Sequence, residues 1–200
     1  MAIEKGINIG CGNLQASGGI RNILIRTWKS TDVIAYANSN VLHSITSISD
    51  TTSSDTPDTA IWFNYEFKDE LPTFTSTASR ENGSTMFENS LTFMMPEMTV
   101  EKSAALQGLM PTCMMAIAVG NNGVNYVLGV SEKYENEKVP VRNQTYASMT
   151  SVEGASGAAY NDDSGYTVTL SCKQWEAPRL YVASGAVISL CSGTDASTTT

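Results

Sequence analysis

Residues 86–131, MFENSLTFMMPEMTVEKSAALQGLMPTCMMAIAVGNNGVNYVLGVS, read as strand, short helix, strand, tight turn and strand. Phe87, Leu91, Phe93 and Met95 alternate with Glu88, Ser90, Thr92 and Met94, the period of a half-buried strand. Asn89 breaks that apolar series. Pro96 ends the run, and Thr99 is placed to cap a helix whose first turn carries Glu101. Val100, Ala104, Leu106, Leu109 and Met110 predict one apolar stripe on this helix, closed by Gly108 and Pro111. Residues 113–119 form the next expected strand. Asn121-Asn122-Gly123 is a hairpin signal, because Asn and Gly take positive φ at little cost, and residues 124–130 return as the third strand. The unit is a packing device and holds no catalytic constellation.

The rest of the chain agrees with that reading. Two hundred residues suffice for a sizeable core. Apolar residues make up 42% and charged residues only 16%, with Thr, Ser, Asn and Gly abundant, the profile of an all-β protein whose exposed sheet faces carry hydroxyls. The net charge of −8 disfavours a sequence-independent grip on nucleic acid. Cys11, Cys113, Cys172 and Cys191 lie far apart, with no C-x-x-C pair, so reduced thiols are expected rather than a zinc site. The amino terminus lacks the apolar core of a secretion signal, and no run approaches the ~20 apolar residues of a membrane helix. A soluble product without a membrane anchor, made in the cytoplasm, follows as the expectation.

Taken in order, residues 1–19 are Gly-, Asn- and Ser-rich and read as an irregular arm. Strands are expected at 20–28, 33–37 and 41–48. The stretch 49–59, SDTTSSDTPDT, has three aspartates, one proline and no leucine, isoleucine, valine or aromatic residue, so it reads as a solvated loop. A loop of that length is often a binding element. Residues 61–68 alternate Ile61, Phe63, Tyr65 and Phe67 against Trp62, Asn64, Glu66 and Lys68, which assigns Trp62 to the polar face. Residues 73–79 return after Pro72. After a charged irregular segment at 132–146, strands are expected at 147–152, 165–175 and 180–190. In the second of these, Tyr166, Val168, Leu170 and Cys172 face in. Residues 192–200 are a polar tail. The prediction is therefore an all-β fold: one antiparallel β-sandwich or barrel domain over 20–191, with a flanking α-helix near 99–110.

Catalytic chemistry finds little to stand on. The single histidine, His43, lies beside Leu42 and Ile45 and reads as a structural hydrogen-bonding residue rather than a base. The sequence has no nucleophile elbow and no phosphate-binding glycine motif. Glu66 with Asp69 or Glu70, and Asp162 with Asp163, are acid pairs that sit in or beside turns, where acids serve solubility. No enzyme activity, metal or cofactor is expected. Met94, Met95, Met98, Met110, Met114 and Met115 cluster around the helix and read as core. Trp62 and Trp175 occupy nominally polar strand faces, which suits subunit-interface aromatics or, as an alternative, sugar-stacking platforms of a carbohydrate-binding or adhesive module.

The order RENGS, FENSLTF, TVEKSAAL, MMAIAVGNNGVNYVLGV and, after a variable loop, SGYTVTLSCKQWEAP resembles that of bacteriophage tail tube, or major tail, proteins. The resemblance covers residues 80–178. It implies a β-sandwich with one flanking helix that assembles in the host cytoplasm into rings, usually hexameric, which stack into the tube of the virion tail. The implied partners are further copies of the chain and other tail proteins, with DNA passing through an acidic, hydroxyl-rich lumen without specific binding. It also makes Asp50, Asp55, Pro57 and Asp58 candidates for an inter-ring loop, with residues 1–19 as a second arm. A tail neck or terminator ring protein is a near neighbour in this class.

Overall fold

A computed structural model describes residues 18–29, 32–37, 44–50, 58–59, 62–65, 67, 71–132, 146–157, 159 and 162–182. Eleven strands and one helix are formed by these residues: β1 (Ile20–Thr27), β2 (Asp32–Tyr36), β3 (Ile45–Asp50), β4 (Asp58–Thr59), β5 (Phe63–Tyr65), β6 (Thr73–Glu81), β7 (Ser84–Pro96), α1 (Val100–Leu109), β8 (Met114–Gly120), β9 (Asn125–Leu128), β10 (Ser148–Ala155) and β11 (Gly165–Gln174). The expected all-β class with antiparallel sheets and one short helix is the observed one.

The strands form three sheets, ordered β5-β1-β8-β9, β10-β11-β7-β6 and β2-β3-β4. Side-chain alternation explains how they stack. Ile23 and Ile25 of β1, with Met114, Ala116 and Ala118 of β8, meet Leu91, Phe93 and Met95 of β7 and Val168, Leu170 and Cys172 of β11 in one core. The intervening residues Leu24, Met115, Ile117 and Val119 point the other way, into a second core with Ile45 and Ile48 of β3, Trp62 and Tyr181. The first sheet is thus the middle layer of three, and all seven residues of β8 are buried. This accounts for the unbroken apolar run at 114–119, since a strand covered on both faces has no polar face to alternate.

The second core corrects two sequence readings. Trp62 is 0% exposed, where the alternation of 61–68 assigned it to the polar face, while Phe63 is 54% exposed. The strand there is only three residues long, and Trp62 precedes it as an irregular residue that plugs the space between layers. The stretch 49–59 is not wholly loop either. Ser49 pairs with Thr59 and Asp50 with Asp58, so its ends form a short ladder, and Asp50 also pairs with Asp32 on β2. Arg26, buried on the Leu24 face, forms an ion pair with Asp32.

The helix is capped as its sequence dictates: Thr99 accepts from the Lys102 backbone nitrogen at 3.3 Å. Only part of its expected apolar stripe is buried. Leu106 is buried and Leu109 packs against the first core, but Val100 is 82% exposed and Met110 is 50% exposed. Met98 is exposed too, whereas Met95, Met114 and Met115 are core. The turn at Asn121–Gly123 forms as expected, with Gly123 at φ 78°. Of the strand expected at 180–190, Leu180 and Tyr181 make isolated bridges to Tyr126 and Ile45. Residues 183–200, the arm at 1–17 and His43 lie outside the described residues.

Candidate assembly surfaces

The sheet β10-β11-β7-β6 covers the first core with one face and turns the other outward. Two rows of hydroxyl side chains cross that outer face. Ser148, Ser171, Ser90 and Thr75 are successive cross-strand partners, as are Ser151, Thr169, Thr92 and Thr73, with Thr150 bulged beside Ser151. Thr92 and Thr169 share a hydrogen bond at 3.2 Å between their hydroxyls, the cross-strand pairing that stabilises such faces. The next row holds Lys173 and Glu88, 3.8 Å apart and about half exposed, so charge there is largely balanced locally. Strands β6 and β10 are the two edges of this sheet, nine and eight residues long.

β6 and the start of β7 extend further than their neighbours. β11 pairs along β7 only as far as Phe87, while β6 continues to Glu81 opposite Ser84. Residues 75–80 and 82–85 are exposed on both faces of this hairpin. Its turn places Asn82 at φ 49° and Gly83 at φ 79°, the two positive values of a type I′ turn. An isolated two-stranded ribbon is marginally stable in water.

At the other end of β6 lies an open groove of about 270 Å³, lined by Gly18, Gly19, Ile20, Pro72, Thr73, Phe74, Asn122 and Tyr126. The Phe74 and Tyr126 rings stack at 4.7 Å with 16° between planes and form one wall. The opposite wall is fixed by Asn121, whose backbone nitrogen donates to Gly19 O at 3.0 Å and whose side chain donates to Gly18 O at 3.3 Å. Asn122 Oδ1 accepts from the Val124 backbone nitrogen, which holds the rim.

Two buried polar groups hold the frame behind these surfaces. Asn89 and Gln174 are 0% and 1% exposed, and Gln174 Nε2 donates to Val130 O at 2.7 Å. Arg179 Nη2 lies 3.0 Å from Glu132 Oε2 and 2.6 Å from Glu176 Oε2, while Ser131 Oγ and the Glu132 backbone nitrogen donate to Glu176 Oε1. This network fastens residues 176–181 to the end of β9, where Val127 N also donates to Arg179 O. One sequence signal marks the first group, the break that Asn89 makes in an apolar series, and none marks the second.

The residues singled out from the sequence do not converge. Trp62 is sealed in the second core and offers no surface to a partner. Trp175 is half-buried one residue beyond β11. Asp50 and Asp58 face one another in the β3–β4 ladder, and Asp55 and Pro57 lie outside the described residues. So do Glu66, Asp69 and Glu70. Asp162 caps a local turn through the Ala159 backbone nitrogen at 2.7 Å. Among the described residues no group of three or more His, Cys, Asp or Glu is placed to hold a metal ion, and no helix is long and apolar enough to cross a membrane. Cys113 and Cys172 are free thiols, and burial pushes the Cys172 thiol pKa up. Comparison with protein-family models, with curated proteins and with solved structures returns no match for this chain.

Proposed function

We propose that this chain is a structural subunit of a phage tail tube, assembling with copies of itself into rings that stack and conduct a genome. The observation that carries the reading is the β10-β11-β7-β6 sheet, which ends in two edges of similar length and turns a hydroxyl-covered face outward. Edges of that length are templates for strand addition. β10 and β6 run antiparallel to their inner neighbours, so joining β6 of one copy to β10 of the next continues the antiparallel alternation. A contact between two different edges is heterologous and closes into a ring when the rotation permits.

The outer face then lines the lumen. Its hydroxyls offer a passing duplex weak, exchangeable contacts, and the Lys173–Glu88 pair leaves little cation for phosphates to hold. Hydroxyls rather than acids dominate this wall, so the chain's negative charge lies mostly elsewhere. The carbohydrate-binding alternative loses its main support, because Trp62 is buried and cannot stack on a sugar.

Negative-stain electron microscopy and mass photometry of the purified protein test the reading. Rings or tubes are expected. A monomer at every accessible concentration overturns it.

A further inference from the structure

We propose that Asn82 is a site of self-modification: the Gly83 backbone nitrogen attacks its carboxamide and converts it to aspartate and isoaspartate, while the fold protects the same dipeptide at Asn122-Gly123. The inference concerns the single folded subunit and does not rest on the assembly reading.

An asparagine carboxamide is open to attack by the backbone nitrogen of the next residue, one reason asparagine is a thermolabile side chain. Hydroxide removes the amide proton, the nitrogen bonds to Cγ, and the Cγ–Nδ2 bond breaks. Ammonia leaves with a proton returned from water. The product is a five-membered succinimide, which water opens at either carbonyl to give aspartate or isoaspartate. No oxidant takes part. A following glycine favours the step, because it has no Cβ to crowd the closing ring. The chain has two such pairs, Asn82-Gly83 and Asn122-Gly123.

The structure separates them. At the second pair both reacting groups are held. Gly123 N, the nucleophile, donates to Gly120 O at 3.1 Å, and the Asn122 carboxamide accepts from Val124 N at 3.0 Å through Oδ1. Gly120 N also donates to Val124 O, and the adjoining Asn121 is tied to Gly18 and Gly19. At the first pair, Glu81 and Ser84 are the cross-strand partners that close the turn, so the Gly83 amide takes no part in the ladder. Asn82 and Gly83 are exposed, and a Cβ built on Gly83 meets nothing within 4 Å. Ring closure needs rotation about the Asn82 Cα–C bond, which the closed turn resists, so the reaction runs from an opened tip. β11 stops short of this end of β7, and opening it breaks only the last β6–β7 pairs. Such fraying ends open at small free-energy cost. Opening also releases Asn82 from its positive φ of 49°.

The product is a local change. Aspartate adds one negative charge beside Glu81. Isoaspartate adds a main-chain atom to a two-residue turn whose length sets the hairpin register, and so loosens the tip without touching either core.

Trypsin separates the two sites, since it cuts after Arg80, Lys102 and Lys133 and leaves them on peptides 81–102 and 103–133. The purified full chain is incubated natively and in urea, at neutral and at more alkaline pH, then digested and weighed by mass spectrometry. In the native protein, peptide 81–102 is expected to become about 1 Da heavier, as NH gives way to O. Fragment ions place the change at Asn82, and an isoaspartate-specific methyltransferase labels part of the product. Its rate rises with pH and leads that of 103–133 by about tenfold or more, because two further hydrogen bonds must break at Asn122. In urea the lead disappears. Equal native rates, or a faster 103–133, overturn the inference. So does a native 81–102 peptide that stays unmodified while the urea sample reacts, which would show that the turn itself protects Asn82.

Discussion

Asn89 Nδ2 donates to Gln174 Oε1 at 3.1 Å across β7 and β11, joining two side chains that the fold removes from water. Gln174 in turn reaches Val130 O, so one polar chain links the outer sheet to the segment after β9. Cys172, the direct cross-strand partner of Asn89, lies beside it with Sγ 3.8 Å from Nδ2. This chain fixes how the outer sheet sits on the middle one, and so where its edges and hairpin point.

Asn89→Leu leaves Gln174 Oε1 buried without its donor, and a stranded buried polar group costs about 1–3 kcal/mol. Urea unfolding should show that loss. Because Asn89 Oδ1 is itself buried without a partner, the double change Asn89→Leu with Gln174→Met should cost less than the sum of the two single changes. Strict additivity would mean the two side chains do not act as a unit.

Trp62→Ala should destabilise the isolated subunit by about 3–5 kcal/mol, the cost of emptying a large buried site. Phe63→Ser, at the exposed neighbouring position, should cost far less. If Trp62→Ala left the unfolding midpoint of the monomer unchanged and impaired only assembly, the residue would be an interface anchor and not a core plug.

Burial raises the Cys172 pKa in the folded state, opposed by smaller contributions from the Gly129 backbone and the Asn89 side chain. The unfolded thiol ionises near the ordinary value of about 8.5. Stability is therefore fully present below that pH and falls as pH rises through it towards the folded value, because the unfolded state releases the proton first. Tyr65 and Tyr181, also raised by burial, act in the same direction at higher pH. Cys172→Val should flatten the fall in stability above about pH 8.5, measured as the urea midpoint. An unchanged slope would show that Cys172 is not its source.

Replacing residues 51–57 by Asn-Gly should leave the subunit folded, since Asp50 and Asp58 already pair as ladder partners and a two-residue turn joins antiparallel strands. If the acidic stretch joins rings, the replacement shortens tubes. Tubes of normal length assign lengthening to other contacts.

Much of the local structure was legible. The Thr99 cap, the NNG turn and the alternation of 165–174 are short-range chemistry, and each forms where its residues require. What misled was the assumption that each strand buries one face. Under it, Trp62 falls to the polar side, whereas the space between two layers takes it in. The acidic stretch 49–59 hid a ladder because its aspartates are poor strand formers, and only their position opposite one another across the sheet makes them strand. The hydroxyl rows were invisible for another reason. Ser and Thr at alternate positions on four strands are unremarkable until the register aligns them.

The sequence by itself determined the class: alternating runs of period two, turn residues at the right offsets and one capped helix leave little but antiparallel β-structure, because those signals act over a few residues. Only the tertiary structure decided that the sheet β5-β1-β8-β9 is the middle layer, that Trp62 is core, and that the hairpin tip and the groove stand at opposite ends of β6. Those facts depend on which strands pair and which faces are covered. Pairing joins residues far apart in the chain, as Thr92 joins Thr169, and no local pattern encodes the partner.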